Sequence, residues 1–307
     1  MISFLKLIRY KNLLMVLLTL VLTKYALIHS FTSVSFLSDF LFSVLVLSIL
    51  CITAGGYIVN DIYDVEADKI NKPDKVFIGN TISAKNAWFG YSIITIIGLV
   101  LGIYVSIRNG NNTYSFIFVL TSIGLYLYSK QLKKLPLLGN LTVALFISLS
   151  IFLIILFEDS GEKAQISKGI HSVFEQINSF IAVLIYSIFS FLTTLIREIV
   201  KDIEDIKGDY ALKMKTLPIV IGINRTNRVA VFVTAILFAF LIFIAKEELT
   251  KHPYILVYTI LFMTLPLAGF LYKLWNAKTT KHYQQLSKLL KLIMLFGILS
   301  MLLFKIT

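Results

Sequence analysis

The sequence predicts an all-α polytopic membrane protein in which about nine transmembrane helices surround a central apolar chamber. Composition is the first reason, because 57% of the 307 residues are hydrophobic and only 15% are charged. A soluble domain of this size is rarely so apolar. The second reason is that long apolar runs alternate with short polar segments. The third is the distribution of positive charge, which falls mostly on one side of the predicted membrane.

Nine apolar runs approach the length of about 18 residues that a membrane helix needs, although the fourth is short. The first run follows Lys6, Arg9 and Lys11, as the apolar part of a signal peptide would. It ends in Ile28-His29-Ser30-Phe31 without a small-residue cleavage site, so we predict a retained helix. The runs are 12–29, 37–59, 87–107, 113–128, 140–157, 176–199, 229–245, 253–272 and 286–304.

The charge distribution predicts the orientation of these helices. With a cytoplasmic N-terminus and nine alternating helices, 22 of the 29 Lys and Arg residues fall on the inner side. Cytoplasmic loops of membrane proteins carry this excess. The net charge of +12 is therefore explained by topology, and we expect no nucleic-acid partner. We predict a multi-pass protein of the cell membrane, with membrane lipid around it and no obligatory protein partner.

Two segments of the chain carry aspartates with the same spacing, 141 residues apart. The triplets are Asp61, Asp64 and Asp68, and Asp202, Asp205 and Asp209. On a helix such positions fall within about 60° of one another, so each triplet would form one acidic face. The triplets follow the second and sixth apolar runs, which cross in the same direction. We therefore predict one transmembrane domain over 1–307 with a parallel repeat, and both motifs on the cytoplasmic side.

Acidic residues gathered in this way predict a divalent-metal site. Carboxylates repel one another unless cations lie between them, and Mg²⁺ prefers oxygen ligands that it shares with phosphate. Two facing triplets would hold two or three Mg²⁺ ions that bridge to a diphosphate and neutralise its charge as it leaves. An allylic diphosphate would leave a carbocation, which needs a dry, apolar chamber. All six aspartates are thus candidate catalytic and metal-binding residues, whereas Glu66 and Glu204 fall on the opposite faces and are expected to be solvated.

The residues around the triplets carry a specific resemblance. The pattern N-D-x-x-D-x-x-x-D begins at Asn60 and is followed by Asn71-Lys72-Pro73, while D-x-x-D-x-x-x-D begins at Asp202. An R-x-x-N pattern is present as Arg9 and Asn12. On these motifs the whole chain resembles the UbiA superfamily of intramembrane prenyltransferases.

This resemblance implies a site for a prenyl diphosphate. The six aspartates would hold Mg²⁺ against the diphosphate. Asn60 and Asn12 would assist at the diphosphate or the metal, and a structural role for Asn12 is an open alternative. Arg9 and Lys72, which belong to the matched patterns, are further candidate substrate-binding residues.

The family also carries a Tyr and a Lys four residues apart after the fourth helix, and two pairs are candidates for them. Tyr126 and Lys130 have that spacing, whereas Tyr128 and Lys133 better fit the Lys-Lys-x-Pro-Leu-Leu-Gly-Asn context. Basic residues in this loop would contact the diphosphate or an acidic acceptor. All four are therefore candidate substrate-binding residues.

The run from Arg197 to Asp209 resembles the digeranylgeranylglyceryl phosphate synthase branch of the family, which makes the second ether bond of archaeal-type lipids. This implies a phosphorylated glycerol acceptor, whose phosphate would bind Arg197, Lys201 and Lys215. Each of these cations is equally explained as positive-inside charge. The leading hypothesis is Mg²⁺-dependent transfer of a polyprenyl group from its diphosphate donor to a prenylated glycerol phosphate. On this resemblance the expected group is geranylgeranyl.

Other functions stay open at this stage. The same fold would prenylate an aromatic acceptor in quinone or tocopherol-type synthesis. A cation or metabolite transporter would use the carboxylates as its binding site, but such sites usually lie at the middle of the bilayer rather than at helix ends. A structural membrane protein leaves the matched triplets unexplained. The single cysteine, Cys51, permits no disulfide within the chain, and the four histidines lack ligand spacing.

Overall fold

A computed structural model describes residues 2–32, 35, 37–159, 170–248 and 253–305. In these residues the chain is helical, apart from turns, loops and one isolated bridge between Ile78 and Ile82. The helices are α1 Ile2–Leu7, α2 Tyr10–Leu22, α3 Asp39–Asn71, α4 Ala84–Arg108, α5 Ser115–Lys130, α6 Leu138–Asp159, α7 Ile170–Glu204, α8 Ile206–Ala211, α9 Leu217–Ile221, α10 Ile223–Glu248, α11 Pro253–Tyr258, α12 Leu265–Trp275 and α13 Thr280–Leu299. The all-α fold class is therefore confirmed.

Eight helical spans in the described ranges are long and apolar enough to cross a membrane. The predicted run 113–128 corresponds to α5, whose 16 residues fall short of that length. The protein is thus a multi-pass membrane protein, while nine crossings and a cytoplasmic N-terminus stay predictions. The eight spans are Tyr10–Phe31, Asp39–Asn71, Ala84–Arg108, Leu138–Glu158, Glu175–Glu204, Ile223–Lys246, Pro253–Trp275 and Thr280–Lys305.

Short polar side chains mark where several of these helices begin. The Ser38 hydroxyl accepts from Leu41 N at the start of α3, and the Ser83 hydroxyl accepts from Asn86 N at the start of α4. Thr279 caps α13 in the same way. Such caps satisfy backbone N–H groups that have no partner within the helix. Directly after α2, and again between α11 and α12, the chain instead widens into π-helical stretches, Thr23–Ile28 and Thr259–Thr264.

The helices form two compact units. The first comprises residues 1–133 and 150–183, and the second comprises 134–149 and 184–307. Helices α6 and α7 each contribute to both units. The first aspartate triplet belongs to the first unit and the second triplet to the second unit. The predicted parallel repeat and the chamber stay predictions.

In the first unit, α3 packs closely along α4. The Ser48 hydroxyl donates to the backbone oxygen of Gly98 at 2.7 Å, which requires the two backbones to lie near each other. A Cβ at Gly98 would lie 2.8 Å from Ile52 Cγ1, so no side chain fits there without a shift. Small residues permit such close helix contacts in membranes, where apolar burial alone does not drive association. This packing positions α3, which carries the first triplet.

A buried ion pair joins other parts of the first unit. Lys24 Nζ lies 3.2 Å from Glu158 Oε1, and the two side chains are 0% and 5% exposed. Lys24 also donates to the backbone oxygen of Leu37. The Ser35 hydroxyl and the Leu37 N–H each donate to Glu158 at 3.1 Å. A buried pair is tolerated when further hydrogen bonds satisfy its members, as these do.

The second unit is built around an apolar core from α7, α12 and α13. Ile196, Ile199 and Ile203 lie on one face of α7, at the spacing of about one helical turn. They belong to the same buried cluster as Phe270 of α12 and Leu290 of α13. The Tyr186 and Ser300 hydroxyls are hydrogen-bonded at 2.7 Å. This core fixes the end of α7, from which the second triplet extends.

Candidate active site

The first triplet lies on one uninterrupted helix, as the spacing predicted. Helix α3 runs for 33 residues and ends beyond Asp68, the last aspartate of the three. Asp61 and Asp64 are only partly exposed, at 15% and 21% of their side chains. Glu66, on the opposite face, is 66% exposed and pairs with Lys69 at 2.8 Å. The predicted division between a sheltered acidic face and a solvated glutamate is thus present in the structure.

Arg9 contacts the first aspartate of this triplet. Its Nη2 donates to Asp61 Oδ1 at 2.7 Å, and its guanidinium carbon lies 5.0 Å from the centroid of the Tyr57 ring. The backbone of Arg9 is left-handed (φ 52°), between α1 and α2. A non-glycine residue adopts this conformation only when its surroundings hold it there. Desolvation lowers the pKa of Arg9 and Asp61 raises it; the net pKa lies above the ordinary value, so the guanidinium stays charged.

Lys133 and Asn60 contact the second aspartate. Lys133 Nζ lies 2.5 Å from Asp64 Oδ1, and its side chain is only 9% exposed. Asn60 Nδ2 donates to Asp64 Oδ2 at 2.6 Å. The two candidate lysines of the loop are therefore not equivalent, because Lys133 reaches the triplet directly. This contact agrees with the loop assignment based on the Lys-Lys-x-Pro context.

Tyr126 and Lys130, the pair with the four-residue spacing, lie beside the same helix. The hydroxyl of Tyr63, which stands between Asp61 and Asp64, donates to Tyr126 Oη at 3.3 Å. Lys130 Nζ lies 5.7 Å from the centroid of the Tyr126 ring and its side chain is exposed. Tyr128 is half-buried on the same helix. Of these four candidates, Lys133 contacts the triplet directly and Tyr126 contacts Tyr63 of the same helix.

The remaining candidates of the first unit lie at the ends of α2 and α3. The backbone N–H of Asn12 donates to the Arg9 oxygen at 2.8 Å, in the first turn of α2. Lys72 directly follows the last residue of α3, and its backbone N–H donates to the Asp68 oxygen at 2.8 Å. Beyond it, loop residues 76–78 line a small cleft with Asp61, Val65 and Asp68. This loop therefore covers part of the acidic face.

The second triplet is not on one helix, which corrects the prediction made from its spacing. Helix α7 ends at Glu204, Asp205 adopts φ −93° and ψ 4°, and α8 begins at Ile206. Asp202 therefore lies on α7 and Asp209 on α8, with Asp205 at the break between them. The two triplets have the same sequence spacing but different backbone conformations.

Two side chains that the sequence analysis did not single out organise the second unit's site. Asn140 Nδ2 donates to Asp202 Oδ2 at 2.9 Å. Glu198 accepts from Arg197 Nη1 at 2.9 Å and from Lys201 Nζ at 3.0 Å. A signal was available for Glu198, because an ionisable residue within a long apolar helix usually has a specific role. Asn140 had no such signal beyond its place in the Pro-Leu-Leu-Gly-Asn segment.

Lys215, the third candidate for the acceptor phosphate, is exposed. Its backbone N–H donates to the Lys134 oxygen at 2.9 Å, which ties the segment after α8 to the loop before α6. Unlike Arg197 and Lys201, Lys215 has no ion pair among the described contacts of this unit. Its side chain is available to solvent.

The donor set of the first triplet fits a hard divalent cation. Carboxylate and amide oxygens are ligands of Mg²⁺, and Asn60 Oδ1 is buried beside Asp64 without a hydrogen-bond partner in the described part of the chain. No three acidic, histidine or cysteine side chains among the described residues are close enough to hold an ion by themselves. Seven residues of helix advance about 10.5 Å, so Asp61 and Asp68 cannot bind the same ion. Water molecules or phosphate oxygens would complete each coordination shell.

The chain belongs to the UbiA prenyltransferase family, whose profile matches residues 13–296. This match covers the eight apolar spans almost completely and both aspartate triplets. The resemblance inferred from the motifs is confirmed. Family membership makes this protein an intramembrane prenyltransferase, in agreement with its fold and with both aspartate motifs.

The chain is also similar to curated relatives. The chain is 40% identical over 195 residues, 63% of its length, to digeranylgeranylglyceryl phosphate synthase of Saccharolobus solfataricus. The match covers 61% of that relative, so the chain spans about three fifths of the length of the curated relatives it matches.

Solved structures of low sequence identity share the fold. A structure of digeranylgeranylglyceryl phosphate synthase in membranes has a TM-score of 0.67 at 23% identity and covers 98% of this chain and 96% of its own. A structure of a UbiA homologue from Archaeoglobus fulgidus bound to GPP and Mg²⁺ has a TM-score of 0.59 at 16% identity. The alignment covers 97% of this chain and 99% of that homologue.

Proposed function

We propose that this protein transfers a polyprenyl group from its diphosphate to a prenylated glycerol phosphate within the membrane, in a Mg²⁺-dependent step of ether-lipid synthesis. The observation that carries the proposal is the first triplet, in which two sheltered aspartates contact Arg9 and Lys133. An acidic face for metal and basic side chains beside it are the parts that diphosphate chemistry needs. The identity to digeranylgeranylglyceryl phosphate synthase supports the acceptor class.

On the donor side, Asp61, Asp64 and Asp68 would hold Mg²⁺, with Asn60 as a further oxygen donor. When bound, Mg²⁺ neutralises charge on the diphosphate as it leaves. Arg9 and Lys133 stand where they would donate hydrogen bonds to diphosphate oxygens, which are strong because both partners are charged. The Tyr63 and Tyr126 hydroxyls are hydrogen-bonded at 3.3 Å, which links α3 to α5. Asp202, Asp205 and Asp209 would bind metal in the same manner, with Asn140 orienting Asp202.

On the acceptor side, Arg197 and Lys201 would bind the glycerol phosphate. The acceptor hydroxyl would then attack the first carbon of the prenyl group. An ether bond forms, the bond to the diphosphate breaks, and the hydroxyl proton is released. The long apolar helices would exclude water from the allylic cation that develops during this step. The positive-inside distribution of charge supports a site on the cytoplasmic side.

Diphosphate release with paired donors and acceptors tests this function. Purified protein in detergent would receive geranylgeranyl diphosphate with geranylgeranylglyceryl phosphate, and separately with a panel of aromatic acids. We expect release and an ether-linked product only with the glycerol phosphate, and none when EDTA removes Mg²⁺. Product with an aromatic acid instead would assign the protein to quinone-type synthesis. Solute flux in liposomes without any diphosphate release would support the transporter alternative.

A further inference from the structure

Glu198 lies at the centre of a buried group of charges on α7. Its side chain is 10% exposed, and the side chains of Arg197 and Lys201 are 18% and 27% exposed. One carboxylate oxygen accepts from Arg197 at 2.9 Å and the other accepts from Lys201 at 3.0 Å. Both cations that are candidates for the acceptor phosphate are therefore held by the same carboxylate.

The cost of burial indicates that this arrangement is more than a surface ion pair. Glu66 and Lys69 have the same spacing as Glu198 and Lys201, but their side chains are 66% and 56% exposed. Exposed pairs of this kind contribute only a few tenths of a kcal/mol. A charged group withdrawn from water in a membrane helix is costly and is usually retained for a function. Glu198 meets this description and Glu66 does not.

The group also retains capacity for an anion. Arg197 and Lys201 carry two positive charges against the single negative charge of Glu198, and Asp202 is near enough to interact electrostatically with Glu198 and Lys201. The Nε of Arg197 is buried and has no hydrogen-bond partner among the described residues. A buried donor without a partner costs free energy until a ligand satisfies it. A phosphate, with its several acceptor oxygens, fits such donors well.

We propose that Glu198 is a positioning residue, which holds Arg197 and Lys201 as a two-cation cradle for the phosphate of the acceptor. This inference rests on the proposed function for the identity of the acceptor. It adds Glu198, which would act through Arg197 and Lys201 rather than contact the acceptor itself. The carboxylate fixes one donor of each cation. The remaining donors, including Arg197 Nε, are left for the phosphate.

A simpler role for Glu198 predicts the opposite result. If the carboxylate only neutralised nearby positive charge, its removal would make the net charge of the group more positive by one unit and strengthen phosphate binding. If it positions the cations, its removal frees two flexible side chains and weakens binding, because their rotamers must then be ordered by the ligand. The sign of the change in acceptor KM therefore separates the two roles.

The experiment compares Glu198→Ala and Glu198→Asp with the matched control Glu66→Ala. At saturating donor, we expect the acceptor KM to rise about tenfold or more in Glu198→Ala, which corresponds to the loss of one charged hydrogen bond. The donor KM should stay within about twofold of wild type. Glu198→Asp, one methylene shorter, should show an intermediate rise, and Glu66→Ala should match wild type. An acceptor KM that falls or does not change would overturn the proposal, as would an equal rise in donor KM.

A binding measurement keeps this inference separate from the proposed function. Calorimetric titration with inorganic phosphate in the absence of divalent cations should show weaker binding by Glu198→Ala than by wild type or Glu66→Ala. Wild type that makes no product with the glycerol phosphate would refute the proposed function alone, because the binding difference would still support the cradle. Equal binding by all three proteins would refute the cradle. If Glu198→Ala does not fold, Glu198→Asp decides the same comparison.

Discussion

At the scale of residues, the first triplet is held by side chains that come from distant parts of the chain. Arg9 pairs with Asp61 across 52 residues, and Lys133 pairs with Asp64 across 69 residues. These contacts hold the sheltered carboxylates in place before any substrate arrives, which lowers the reorganisation needed during the reaction. The roles of individual residues follow from these contacts and are open to substitution experiments.

Removal of one aspartate from each triplet should abolish transfer without unfolding the protein. Asp64→Ala and Asp205→Ala would each remove an oxygen ligand and the charge stabilisation that depends on it. Such losses correspond to several kcal/mol, or about a hundredfold or more in rate. Diphosphate release and gel filtration in detergent measure activity and fold. Glu66→Ala, on the exposed face of the same helix, is the control, and wild-type turnover by either aspartate variant would refute the metal assignment.

The two candidate lysines should respond differently to substitution. Lys133→Met removes a buried cation that contacts Asp64, so we expect transfer to fall about tenfold or more. Lys130→Met removes an exposed cation that lies over the Tyr126 ring, and we expect the rate of transfer to fall by less than about threefold. Initial rates with saturating acceptor measure both. A larger effect of Lys130→Met would show that the four-residue spacing, rather than the contact with Asp64, identifies the functional lysine.

At the scale of elements, the two triplets show that identical spacing need not produce identical structure. Asp61, Asp64 and Asp68 share one face of α3, because that helix continues three residues beyond the last aspartate. The second triplet is divided by the helix break at Asp205. Spacing along a sequence predicts a common face only if the helix is continuous.

The packing of α3 on α4 should depend on Gly98. An added Cβ would lie 2.8 Å from Ile52 Cγ1 and 3.1 Å from the Ile52 backbone nitrogen, so Gly98→Ala forces the helices apart. Overpacking of this kind costs about 1–3 kcal/mol, and we expect the thermal unfolding midpoint in detergent to fall by several °C. Gly269→Ala is the control, since nothing lies within 4 Å of the added atom. An unchanged midpoint for Gly98→Ala would mean that the contact relaxes at little cost.

At the scale of the whole molecule, the predicted orientation places both triplets in the cytoplasm. Labelling of single cysteines tests this. In a Cys51→Ser background, Glu66→Cys lies near the first triplet and Asn112→Cys lies beyond the other end of α4. A membrane-impermeant maleimide should label Asn112→Cys in intact cells and Glu66→Cys only after permeabilisation, because 22 of the 29 cations favour the inner side. The reverse pattern would invert the topology.

The sequence alone determined the class of this protein. Length and apolarity of a run are local properties, so the membrane helices were predictable, and α5 fell short only because its 16 residues are near the limit. The aspartate motifs and the family could also be identified from the sequence, because these motifs depend only on the spacing of residues within short segments. The exposure of Glu66 followed from the same helical periodicity.

The tertiary structure decided which side chains meet. Lys133 rather than Lys130 contacts Asp64. Arg9, whose backbone is in the left-handed conformation, contacts Asp61. Asn140 contacts Asp202, 62 residues away in the sequence. The burial of Glu198 between two cations likewise depends on the packing of α7 within the second unit. Such contacts depend on how distant segments pack together, and no local pattern of hydrophobicity or spacing encodes that packing.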